Sequence, residues 1–287
     1  MNLNKSKLLK KVSIGILPLA FLFVTKIKMG IAGAGWATVL SQLIATILCM
    51  SFMFWKYPIL HLQKSDWKLN KDFIMEHLRI GIPMGFQMSV LTIGIIILQY
   101  VLNGFGSDAV AGYTSAMRVE QIFGQALVAL GATMATFTAQ NFGAGKMGRI
   151  KQGTKCAVMI GISICVFSFV ILIFFAENIV SIFMSEQNEN IISMGALYLH
   201  VIMVFMIFLA ILLIFRNILQ GMGQAIAPLM SGIAELILRG ACAIILGHFF
   251  GFLGICFATP AAWIGASIVL FTGYKISLIK QLKALRK

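Results

Sequence analysis

Arg118, Glu120, Glu235 and Arg239 stand deep inside long apolar stretches of this sequence. A charge at membrane depth is costly, so each must pair, face a cavity, or take part in moving an ion. Arg118 lies about nine residues into its stretch, roughly 14 Å at helical rise, near the middle of a core about 30 Å thick. Arg118 and Glu120 are two apart and do not share a helix face, so they are not expected to neutralise each other. Gln121 and Gln125, four apart, do share one. Glu235 and Arg239 have the same spacing and can pair. Two chemistries fit both clusters and stay open: a carboxylate that takes up and releases a cation, or a polar network that joins helices. Gln87, Gln99 and Asn103 on another apolar stretch, and Tyr198 and His200 on a fourth, can line a cavity or bond across helices.

The elements that must position these groups are membrane helices. The chain has 287 residues, 60% hydrophobic and only 11% charged, whereas a soluble domain carries roughly a quarter charged residues. Eight apolar runs follow one another at 12–25, 31–55, 80–103, 109–138, 153–176, 191–215, 225–249 and 253–274. All but the first are long enough to span a bilayer. Long continuous runs, rather than ten-residue alternations, indicate helices and not a barrel. The fold class expected is all-α, a polytopic membrane helix bundle. Pro83 is expected to kink or break the third run near its start.

The net charge of +14 sits between the apolar runs, without the aromatic and basic platform of a nucleic-acid binder, so no nucleic-acid partner is expected. Connections on one side hold 19 lysines and arginines, Arg216 among them, against 2 on the other. By the positive-inside rule both termini are cytoplasmic. The longest connection, 56–78, reads as a cytoplasmic linker between 1–55 and 79–287. Five cysteines lie in or beside apolar runs without metal spacing, so no metal is expected. A phosphate loop is missing, since GAGKMG lacks the required flanks. Nothing in the sequence suggests an enzyme.

GIPMGFQ at 81–87, LNGFGSDAVAGYTSAMRVE at 102–120 and AQNFGAGK at 139–146 resemble motifs of the multidrug and toxic compound extrusion (MATE) transporters. So do NILQGMGQAIAPLMSGIAELILRG at 217–240, GICFATPAAW at 254–263 and MGIAGAGWATVLSQ at 29–42. The resemblance implies a lobe of six helices at 79–287, preceded by part of another lobe: a truncated helix and one full span in 1–55. It implies antiport in the plasma membrane, Na⁺ or H⁺ moving inward while organic, often cationic, drugs or toxic compounds move out. No other cofactor is implied. On this plan the chain begins within the family's fifth helix, and a homodimer or a missing first lobe would complete it. Some members place a carboxylate about eight residues after the Pro83 position, where this chain has Leu91. Glu120 and Glu235 are therefore the expected cation-coupling acids, with Arg118 and Arg239 as charge partners. Gln87, Gln99, Asn103, Gln121 and Gln125 are the expected polar lining. A lipid-linked glycan flippase of the same superfamily and a non-transporting remnant are the alternatives.

Overall fold

The computed structural model describes residues 30–58, 61, 70–183 and 188–284. The run at 12–25 and residues 59–60 and 62–69 of the 56–78 connection lie outside them. Seven of the described helices are long and apolar enough to cross a membrane, and the chain is a multi-pass membrane protein. Two compact units divide it, Met1–Asn70 and Lys71–Lys287. The described helix of the first is α1, Gly30–Lys56. It ends at Lys56, whose ammonium lies 5.4 Å from the Phe52 ring and 5.6 Å from the Tyr57 ring.

The second unit contains α2 (Lys71–Asn103), α3 (Ser107–Gly143), α4 (Met147–Ile182), α5 (Glu189–Gly221), α6 (Ile226–Phe250), the single turn α7 (Phe252–Cys256) and α8 (Ala258–Ala284). α2 begins at Lys71, inside the stretch read from sequence as connection. Its first two turns mix Asp72, Glu76, His77 and Arg79 with Phe73, Ile74, Met75 and Leu78, and Asp72 suits the positive helix N-terminus. The helix also runs unbroken through Pro83. α5 starts on an Asn188 cap whose side chain accepts the Asn190 amide at 3.0 Å. Between α6 and α7 the chain turns at Gly251, φ 61°, a conformation in which a Cβ is strained.

α5 is the centre of this lobe and packs against α3, α4 and α8, while α6 packs against α2 and α8. Small residues let the backbones close. A Cβ on Gly112 would stand 2.7 Å from the Ile191 carbonyl oxygen, and one on Gly195 3.0 Å from the Gly112 carbonyl oxygen. Gly131 meets Asn217, and Gly221 meets Ala135. Residue numbers rise together along both helices, so α3 and α5 run parallel with glycine contacts at both ends. Gly94 against Leu236 and Gly240 against Ile97 likewise make α2 and α6 parallel. Close approach through small residues is how membrane helices pack where lipid supplies no hydrophobic drive. The outer faces carry large apolar side chains such as Phe167, Phe174 and Ile237, all exposed and suited to lipid.

Candidate functional site

Glu120 takes its position from the α3 turn. At about 100° per residue, Ala116 and Val119 point inward and are fully buried, Glu120 beside them is partly buried, and Arg118 is exposed. Across the tight α3–α5 seam, the Tyr198 hydroxyl donates to Glu120 Oε2 at 2.5 Å. The buried Tyr113 ring tilts against Tyr198 with centroids 4.5 Å apart. Glu120 therefore sits against one phenol that is backed by another, and forms no ion pair among the described residues. Arg239 is close enough to act on it electrostatically.

Glu235 has different company. One of its oxygens accepts from Arg216 Nη2 of α5, the other lies 3.5 Å from Arg239 Nη2 one turn along α6. All three residues are buried. Arg216 also donates to the Ser231 hydroxyl at 3.4 Å, and Ser231 donates to the Pro228 carbonyl at 2.7 Å. The Arg239 guanidinium has room because α2 presents Gly94 to it: a Cβ there would come within 3.5 Å of Nη1. Next to this group, Gln220 Nε2 donates to Gln87 Oε1 at 3.4 Å, linking α5 to α2. Gln87 is 1% exposed and packs on Gly232.

The sequence-level candidates thus fall into four places. Glu120 faces the Tyr113–Tyr198 pair. Glu235 and Arg239 join Arg216, with Gln87 beside them. Arg118, Gln121 and Gln125 are exposed along one stripe of α3, spaced by three and four. Gln99 Nε2 donates to Asn103 Oδ1 at 3.2 Å within α2. Arg118 is 11 residues beyond Ser107, about 16 Å along the helix, and makes no ion pair among the described residues. An arginine at such depth costs about 2.5–3.5 kcal/mol on insertion scales, so its environment must offer water or an anion.

Arg216 is a correction. The tally of loop charges placed it in a cytoplasmic connection, but α5 continues past it to Gly221 and buries it against Glu235. The polar run Asn217, Gln220 and the Gly221–Gly223 turn made the helix look finished one turn and a half too early. Glu235 within one loop of an arginine was the available signal. Tyr198 was visible as a polar group but not as the partner of Glu120, 78 residues away.

Residues 83–246 match the MatE family model. That is more than half of the chain, and the chain belongs to this family of membrane transporters. Curated relatives agree. A probable multidrug resistance protein, YpnP, of Bacillus subtilis (strain 168) is 26% identical over 269 residues, 92% of this chain and 59% of that protein. The multidrug export protein MepA of Staphylococcus saprophyticus (strain ATCC 15305) is 24% identical over 79% of this chain and 50% of its own length. Among solved structures, a MATE protein in complex with MaL6 superposes with a TM-score of 0.87 at 20% identity, covering 95% of this chain and 62% of that one. An outward-facing multidrug resistance MATE transporter of the MOP superfamily gives 0.86 at 20% identity, over 95% and 61%. This chain spans about 59% of the YpnP length it matches.

Proposed function

We propose that the chain serves a plasma-membrane antiporter that expels amphipathic, often cationic, organic compounds while Na⁺ or H⁺ moves inward, with both termini cytoplasmic. Residues 79–287 act as one lobe and 1–55 belong to the end of the other, joined by the linker at 56–78. The observation that carries this reading is Glu120. It is a carboxylate inside a membrane-spanning lobe, held by a neutral phenol and not by a cation of its own. Such a group can exchange a proton or metal cation without leaving a partner charge stranded. The multidrug resistance and export names of the relatives support the substrate class.

Coupling then has a physical route. A cation on Glu120 changes the charge felt by Tyr198 and by Arg239, and so biases how α3, α5 and α6 sit together. The extent of the bias is the difference in cation affinity between the two arrangements. Glu235, clamped by two guanidiniums, keeps the far end of α5 fixed to α6. The test is export of a fluorescent cationic dye from cells or vesicles holding this chain, under imposed Na⁺ or pH gradients. Gradient-driven export in the parent and its loss in Glu120→Gln are expected. Export that ignores the gradient, or survives Glu120→Gln unchanged, would end the reading.

A further inference from the structure

A cleft of about 840 Å³ opens at the α2–α3 end of the second unit. One wall is polar, with Ser107, Thr114, Ser115 and Arg118, and the other is apolar, with Phe183 and Ile191 among its side chains. Its volume lies in the range of small-molecule sites, roughly 300–1,000 Å³. We propose that this cleft binds the anionic head of an amphipathic molecule, a carboxylate or phosphate ester on a hydrocarbon body, with Arg118 as the counter-charge.

Three observations converge on that chemistry. First, Arg118 is the only charged side chain among the described residues of the lining, and it forms no ion pair among the described residues. Second, the acids nearest in sequence lie outside the lining and have other partners. Glu120 accepts from Tyr198 on the inner side of α3, and Asp108 at the rim accepts from the Ser107 hydroxyl at 3.3 Å. Third, Thr114, Ser115 and Arg118 are spaced by one, three and four on α3, so two hydroxyls flank the guanidinium on one face. A planar guanidinium engages carboxylate or phosphate through paired hydrogen bonds, and hydroxyls complete the shell. The apolar wall suits a hydrocarbon body. A purely cationic head would meet like charge there, a repulsive element that discriminates against it. The inference rests on the export reading for the fate of a bound compound, and it adds anionic-headed amphiphiles, held at this cleft, to the cationic compounds of that reading.

The probe is 11-(dansylamino)undecanoate, with its amine-ended analogue as control, titrated into the purified chain in an uncharged glycoside detergent. The acid is expected to bind more tightly than the amine. Arg118→Gln should weaken the acid about tenfold or more, the scale of losing a charge-assisted hydrogen-bonded partner. Arg118→Lys should restore most of it, and the amine, relieved of like charge, should bind Arg118→Gln at least as well as the parent. Unchanged elution and melting of Arg118→Gln show that folding is not the cause. Competition separates the sources of the head group: displacement by phosphatidylglycerol but not decanoate identifies a lipid, and the reverse identifies a soluble acid. Tighter binding of the amine, or acid binding indifferent to Arg118→Gln, overturns the proposal. Gradient-driven dye export with no Arg118-dependent binding would sink the cleft and leave the export reading. Arg118-dependent binding without export of any compound would do the opposite.

Discussion

Glu120 and Glu235 lie in the same helical lobe, and both contact α5, yet their surroundings are opposed. Glu235 is held by two arginines, one on its own helix and one on α5. Glu120 is held by one tyrosine hydroxyl. A carboxylate between two guanidiniums cannot change its charge without leaving two buried cations uncompensated, and removing one member of such a set is far costlier than the set is worth. A carboxylate on a phenol has no such obligation. The difference assigns construction to one acid and exchange to the other, from partner chemistry alone.

The comparison breaks most readily at Glu235. Glu235→Gln should destabilise the lobe by about 3–5 kcal/mol, read as a lower melting temperature and a smaller monodisperse fraction in detergent. A variant as stable as the parent would remove the contrast between the two acids. Arg216→Gln combined with Glu235→Gln should cost less than the two single changes added together, because the pair is one unit. Next in size is Gly195→Val. It forces bulk against Val180 and the Gly112 carbonyl, and overpacking of this kind costs about 1–3 kcal/mol. It should also part Tyr198 from Glu120, so export should lose its gradient dependence in the fraction that folds. Tyr198→Phe leaves the Glu120 carboxylate short of a donor, at about 1–3 kcal/mol, and keeps the ring against Tyr113. Glu120→Gln should be the mildest for stability, under about 1 kcal/mol by the same reasoning, since an amide still accepts from Tyr198. Its effect should appear in coupling. Melting and dye export measured side by side on these variants would sharpen the comparison, or abolish it if Glu120→Gln proves the least stable of all.

Much of this was readable from local pattern. The spans follow from apolar run length, and the Glu235–Arg239 contact follows from a four-residue spacing on one helix. That Glu120 and Arg118 look different ways follows from their two-residue offset, while which of them looks inward is set by the packing of α3 on α5. What the sequence hides is long-range pairing. Nothing near Glu120 names Tyr198, and nothing near Gln87 names Gln220, because these meetings are made by helix packing through Gly112, Gly195 and Gly232. Arg216 was misplaced for a different reason. Basic residues at span ends usually mark loops, and the polar tail of α5 imitates one. Gln121 and Gln125 were legible as one face, but whether that face is covered is a property of the fold.

The burial of Arg216 also bears on biosynthesis. α5 and α6 are neighbours in the chain, and the turn between them is only a few residues long. A nascent α5 entering the bilayer alone would carry an unpaired arginine about a turn and a half before its end, at the cost such a charge incurs in lipid. Once α6 follows, Glu235 reaches Arg216 across the hairpin. The two helices are therefore expected to leave the translocon together, as a hairpin whose charges are already matched before the rest of the lobe closes around it.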